Sequence, residues 1–277
     1  MTLREVQLVE TEILKKVIAF MDERGMKYVA LGGTLLGAVR HKGFIPWDDD
    51  VDIGLPREDY ERFLVEGKAF FDGENSPLVL QNKAFDSDYD YYFSRVIDKS
   101  VRLLDRSATV EREQFAWIDV FPLDGMPGGV KGKIHKFRLL KARMEYQYAR
   151  FDELVNVNLK NRPLYERLLI KIGKVFRLQK LFKREKTFYK LDKLLKKYPY
   201  KDSPFAVNFM GAGKFREMHE RETYDTRSDY PFEDTRIMSV KDYDKWLTKM
   251  YGDYMTPPKE DERNKHCTEV RSEGKDE

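Results

Sequence analysis

Apolar residues recur at three- and four-residue spacing from Arg4 to Glu23 (Val6, Val9, Ile13, Val17, Phe20), which predicts an amphipathic helix closed by Gly25. Tyr28–Leu31 is a short apolar run that reads as a strand. Gly32-Gly33-Thr34 follows it directly, and Leu35–His41 returns to a helical pattern. Val51–Leu55 predicts a second strand closed by Pro56, and Arg57–Phe71 a helix whose apolar side is Tyr60, Phe63, Leu64 and Phe70. Leu78–Gln81, Tyr91–Ile97, Val101–Leu104 and Phe115–Phe121 are strand-like, the first bounded by the turn residues Asn75-Ser76-Pro77. After the turn cluster Asp124–Gly129 the pattern changes. Lys133–Phe151 and Leu164–Tyr198 are helical in period, basic, and interrupted by Pro163 and Pro199. From Ser203 the chain reads as loop until Val240–Tyr251, a last short helix ending at Gly252. The pattern predicts an α/β (α+β) fold: a catalytic part at 1–125, a basic helical part at 126–202, a segment at 203–257 packing back on the first, and a polar tail at 258–277 expected to fray.

Composition narrows the class. Of 277 residues 41% are hydrophobic and 36% charged, which fits a globular protein and excludes collagenous and mucin-like chains. The single cysteine, Cys267, excludes an intrachain disulfide and a Cys-ligated zinc cluster and points to a reducing compartment. The longest uncharged run, Tyr28–Val39, holds three glycines and is too short to span a bilayer. Arg4, Glu5 and Glu10 leave no room for an apolar signal region. The expectation is a cytoplasmic protein. The net charge of +3 hides an uneven split, because Lys131–Lys201 carries 22 Lys and Arg against 6 Asp and Glu. Such a split marks a polyanion-facing surface or a solvated helical face.

The densest candidate chemistry lies in Leu31–Leu55. In a strand residues i and i+2 share a face, so Asp50 and Asp52 project side by side while Val51 and Ile53 turn to apolar packing. Carboxylates this close repel by several kcal/mol at an effective dielectric of about 20. A cation between them removes the repulsion, and oxygen donors without Cys or clustered His select Mg²⁺ or Mn²⁺ over zinc. Asp119, alone among the apolar residues of Trp117–Phe121, is either paired or ligating. Gly32-Gly33-Thr34, between a strand and a helix, presents backbone N–H groups and a positive helix end to an anion. Arg40 could grip the same phosphates as a fork, or form a surface salt bridge. In the order strand, Gly-Gly, helix, Asp-x-Asp, strand-Asp, these pieces describe one site for a nucleoside diphosphate held by metal.

The run from Gly33 to Asp52, with Arg40-His41-Lys42-Gly43 and Pro46-Trp47-Asp48-Asp49-Asp50 inside it, resembles the hallmark of the LicD family of phosphotransferases, relatives of fukutin and fukutin-related protein. The wider pattern is similar to that of the nucleotidyltransferase superfamily, which implies a mixed sheet flanked by helices, here with a basic helical insertion. Asp119 in Ile118-Asp119-Val120 matches the family's third acid. The resemblance resumes at Tyr251-Gly252-Asp253-Tyr254-Met255, but where the family carries a closing His pair this chain has His266-Cys267. About 150 residues are covered, and 131–201 are not. The resemblance implies transfer of phosphocholine, or another phospho-alcohol, from CDP-choline or a related CDP-alcohol donor. The implied acceptor is a sugar hydroxyl of a glycan or lipid-linked precursor of lipopolysaccharide or teichoic acid. It implies that Asp50 and Asp52 hold Mg²⁺ on the donor phosphates, that Gly33 and Thr34 grip those phosphates, and that Asp119 completes the metal shell near the acceptor hydroxyl; an acid beside the metal can accept the hydroxyl proton, which makes Asp119 the candidate base.

Other residues carry open alternatives. Trp47 stacks on a base, caps a choline head or packs; Asp48 and Asp49 tune the metal or face solvent; Arg95 meets phosphate from a strand face; His41 is structural. Tyr89, Tyr91, Tyr92 and Phe93 form a choline cage or a piece of core. Leu164, Leu168, Ile172, Phe176 and Leu181, spaced helically among Lys and Arg, suit an anionic membrane at its inner face, a polyphosphate acceptor, or the catalytic part itself. Two rivals remain: a nucleotidyltransferase moving NMP onto a small molecule or RNA, and a non-catalytic polyanion binder. The three acids weigh against nucleic acid as the partner.

Overall fold

A computed structural model of the chain describes residues 2–73, 76–89, 91–105, 112–150, 164–175, 182–260, 263 and 268–270. The first helix, α1 (Leu3–Glu23), starts on a capping box in which Thr2 and Glu5 satisfy each other's backbone N–H groups. It buries Val6, Ile13, Leu14, Val17 and Phe20, and Gly25 closes it at φ 61°. Strand β1 (Val29–Ala30) leads through Leu31 into α2 (Gly32–Arg40). Then come β2 (Asp52–Pro56), α3 (Arg57–Phe71), β3 (Leu78–Gln81), β4 (Ser94–Asp105) and β5 (Arg112–Met126).

These strands form a mixed sheet in the order β1-β2-β5-β4, with β3 and then β10 (Thr268–Val270) along the far edge of β4. The pairing of β2 with β5 is parallel, and it sets Asp52 directly opposite Asp119. Both strands alternate as their sequences predict: Val51, Ile53, Ile118 and Val120 are fully buried, with the acids on the other face. The runs Tyr91–Ile97 and Val101–Leu104 prove to be one strand, β4, whose register slips between Asp98 and Arg102. The far end of β5 leaves the sheet centre to pair with β6 (Phe205–Val207), which in turn pairs with β7 (Met218–Glu220).

The basic stretch supplies α4 (Gly129–Ala149), α5 (Leu164–Val175) and α6 (Arg184–Leu195). Leu139, Ala142 and Tyr146 of α4 and Phe188, Leu191 and Leu195 of α6 share a second apolar cluster with Tyr92, Val207 and Phe209. The reading of Ser203 onward as loop is corrected. That segment holds β6, β7, α7 (Arg221–Asp225) and a hairpin of β8 (Arg227–Phe232) and β9 (Thr235–Val240), before α8 (Tyr243–Tyr251). Three-residue strands and a strand containing Pro231 carry too little alternation to be read from pattern. Among the described residues no helix is long and apolar enough to cross a membrane.

Candidate active site

Leu31 N–H donates to the Asp52 carbonyl and Asp119 N–H to the Val51 carbonyl, so β1, β2 and β5 converge at the start of α2. No side chain caps that helix. Instead two carboxylates lie over its first residues: a Cβ on Gly33 would stand 2.5 Å from Asp48 Oδ2, and one on Gly32, which has φ 50°, 3.2 Å from Asp52 Oδ2. Glycine is required there by the acids themselves. Thr34 is drawn into the same joint, since its Oγ1 accepts the Asp52 N–H at 2.8 Å.

A cavity of about 540 Å³ opens over this joint. Gly32, Gly33, Asp48, Asp50 and Asp52 form one wall; Arg40, Trp47, Phe121, Asn208, Glu217, Tyr251, Asp253 and Tyr254 complete it. The structure thus brings Gly32, Gly33, Arg40, Trp47, Asp50 and Asp52 together, as the sequence predicts. Burial pushes the Asp52 carboxyl well above the usual range, and Asp50, Asp119, Glu217 and Asp48 push it further. Arg40 donates to the Tyr254 carbonyl at 2.7 Å and to His41 Nε2 at 2.9 Å, and it pairs with no carboxylate among the described residues. Burial lowers its pKa, so an anion in the cavity would relieve it.

Asp119 and Arg95 stand behind the cavity. Arg95 Nε donates to Asp119 Oδ1 at 2.8 Å and its Nη1 to Gln114 at 3.1 Å. The guanidinium lies between the rings of Tyr91 (4.7 Å) and Trp117 (4.6 Å), with Phe93 at 5.9 Å. The aromatic cluster therefore encloses the protein's own cation, and Tyr92 turns away to stack on Phe188 at 4.2 Å. Core packing is the reading that holds for it. Arg95 is a holder of Asp119 rather than a lining residue. Trp47 reaches the cavity, but Arg263 covers one ring face at 4.1 Å.

Among the described residues no three His, Cys, Asp or Glu side chains stand arranged to hold a metal ion. Asp119 is held by Arg95. The fit of a hard divalent ion is to Asp50 and Asp52, whose crowding it would neutralise with the oxygen donors it prefers.

Three polar residues in and around the site, Glu10, Asn208 and Glu217, escape sequence reasoning. Glu10 of α1 is fully buried, with neither carboxyl oxygen hydrogen-bonded among the described residues. Burial and then Asp50, Asp49, Asp119 and Asp48 raise its pKa well above the ordinary value. Its signal is visible in retrospect, an acid in register with Val6, Ile13 and Val17 on an apolar stripe. Glu217 accepts from Asn208 Nδ2 and Gly213 N, both at 2.9 Å, and burial pushes it up to about 7. Asn208 and Glu217 also enclose Gly211, where a Cβ would meet them at 2.4 and 2.6 Å. No sequence signal marks this wall. His266 and Cys267 lie outside the described residues.

An α/β protein whose cavity combines a helix start, neighbouring carboxylates and an arginine that meets no carboxylate among the described residues is the class that fold and site define. Residues 25–160 match the family model described as LicD/FKTN/FKRP, nucleotidyltransferase domain. The lipopolysaccharide cholinephosphotransferase LicD of Haemophilus influenzae is 29% identical over 280 residues, 98% of each chain. The ribitol 5-phosphate transferases FKRP of Homo sapiens and Mus musculus are 46% identical over 48 residues, 17% of this chain and 10% of theirs. The chain is thus similar to the LicD family, through the family model over residues 25–160 and through LicD over its whole length.

Proposed function

We propose that the chain is a phosphotransferase that moves phosphocholine, or a similar phospho-alcohol, from a CDP-activated donor to a sugar hydroxyl of a cell-surface glycan or lipid-linked precursor. The observation that carries this reading is the convergence of Gly32-Gly33, Asp50, Asp52 and Arg40 on one cavity. The relatives support its direction. One is a cholinephosphotransferase of lipopolysaccharide by name and two are ribitol 5-phosphate transferases, so phospho-alcohols are the common cargo. A volume near 540 Å³ suits a ligand of donor size.

In the proposed reaction the acceptor oxygen bonds to the phosphorus that carries the alcohol, the bond to the bridging oxygen breaks, and CMP leaves. Asp50 and Asp52 would hold Mg²⁺ or Mn²⁺, which supplies charge neutralisation for the diphosphate. Arg40 binds and orients the phosphates from the opposite side, a positioning role that phosphoryl transfer rewards. The first-turn N–H groups at Gly32 and Gly33 add the positive end of α2. Phe121, Tyr251 and Tyr254 offer π faces to a quaternary ammonium in the same cavity. Asp119 takes the acceptor proton if it parts from Arg95.

Incubation with CDP-choline, CDP-ethanolamine, CDP-ribitol and CDP-glycerol tests the reading. Magnesium-dependent CMP release, with the labelled phospho-alcohol recovered on the acceptor, is the expected result. Recovery of the CMP half on the acceptor would establish the nucleotidyltransferase alternative instead.

A further inference from the structure

Helix α4 is apolar on both faces. Its inward face (Gly132, His135, Leu139, Ala142, Tyr146) is buried, partly against α6. Its outward face carries Val130 (72% exposed), Ile134 (48%), Phe137 (69%), Leu140 (46%) and Met144 (42%). At helical spacing these five fall along a single stripe. The exposed positions around and between them are Lys131, Lys133, Arg138 and Lys141. The helix has one acid, Glu145, and it is turned inward onto Lys190. Helix α5 repeats the composition, with Leu164 and Leu168 exposed beside Arg167 and Lys171.

We infer that the outward face of α4 is a docking surface for the anionic leaflet of a lipid bilayer. Two features must be met at once, a row of exposed apolar side chains and a fringe of cations without anions. A soluble polyanion needs only the fringe and leaves Phe137 and Val130 in water. A second copy of the chain would cover the stripe but bring lysine against lysine. An anionic bilayer meets both, with headgroups for the cations and the acyl boundary for the stripe. The inward apolar face fixes α4 to the body of the protein, so the whole molecule follows the helix to the surface.

The cavity lies one loop away. Arg143 of α4 donates to the Phe209 carbonyl and Lys136 lies 5.3 Å over Phe215, and between those two residues Gly211 and Ala212 line the cavity. A docked α4 therefore holds the site next to the leaflet, where a lipid-linked sugar would present its hydroxyl. This last step rests on the proposed function; the docking does not.

The test is co-sedimentation of the full chain with vesicles of phosphatidylcholine, with and without phosphatidylglycerol. Binding to the anionic vesicles is expected to exceed binding to the neutral ones by about tenfold or more. Lys133→Glu with Lys141→Glu should reverse that preference. Ile134→Ser with Phe137→Ser should weaken binding by about tenfold and leave a remainder that high salt abolishes, whereas the unaltered chain stays partly bound in salt. Unchanged circular dichroism melts and CMP release from soluble CDP-choline would show that the variants keep fold and site. The vesicle readout stands even if no donor is turned over. Equal binding to both vesicles, indifference to charge reversal, or a dimer in sedimentation equilibrium that Phe137→Ser dissolves would each overturn the inference.

Discussion

The sheet core and the helical layer treat charge in opposite ways. In the core, Arg57 and Asp124 form a buried two-point pair, and Arg95 is clamped on Asp119 among aromatic rings. Near those pairs, Asp48 and Asp50 raise the proton affinity of both Glu10 and Asp52. In the helical layer Lys131, Lys133, Arg138 and Lys141 of α4 stand exposed beside the exposed apolar side chains of Val130, Ile134 and Phe137. Folds of marginal stability keep such violations where they serve a purpose. On the proposed function the crowded anions are where a cation and a phosphate would bind, and on the inferred docking the exposed apolar stripe is where the protein would meet a bilayer.

If the crowding in the core is functional, removing one anion must trade activity for stability. Asp52→Asn is expected to lower turnover by about a thousandfold or more while raising the melting temperature by a few degrees. Turnover near that of the unaltered chain would break the comparison at its centre. Gly33→Ala should cost about a hundredfold in kcat/KM with little change in melting, because the new Cβ would meet only the mobile end of Asp48 at 2.5 Å and push it into the phosphate space. Arg40→Gln should raise the KM for the donor about tenfold to hundredfold and change kcat less, the signature of lost ground-state binding.

Much of the core was legible because its signals are local. Gly32-Gly33 sits between a strand and a helix, Asp50-Val51-Asp52 and Ile118-Asp119-Val120 lie in short runs whose period is 2, and β2 and β5 do bring Asp52 and Asp119 into register. What sequence could not provide was the partner of each group. Arg95 alternates onto the expected strand face, and its partner there, Asp119, comes from a neighbouring strand that the sequence does not identify. Asn208 and Glu217 arrive from a segment whose strands are three residues long, and only tertiary packing puts them in the wall. In the helical layer the helices were legible but not which of their apolar faces would be covered, since α4 has two.

Glu10 sharpens the same comparison at smaller scale. Its folded pKa lies above the unfolded one, so the stability it permits is complete at acid pH and is lost as pH rises through the raised value. Glu10→Gln removes that loss. Its melting temperature should match the unaltered chain near about pH 4 and exceed it by a few degrees near about pH 8.

The helical layer should show the opposite slope. His135 of α4 is 2% exposed, packs edge-on against the Tyr198 ring at 4.8 Å, and neither ring nitrogen has a hydrogen-bond partner among the described residues. Burial, then Lys197 and Arg138, lower its pKa to about 4. An imidazole with a depressed folded pKa is neutral in the native state while the unfolded chain takes up a proton below its ordinary value near 6.5. Its stability is therefore present above that value and lost as pH falls toward about 4. His135→Leu should flatten this acid loss, worth a few degrees of melting temperature per pH unit, and leave the alkaline loss due to Glu10 untouched. Thermal melts of the two variants across pH would separate the regions: one variant should gain at high pH only, the other at low pH only. A gain by both at the same end would mean that the two regions do not carry opposite electrostatic strain.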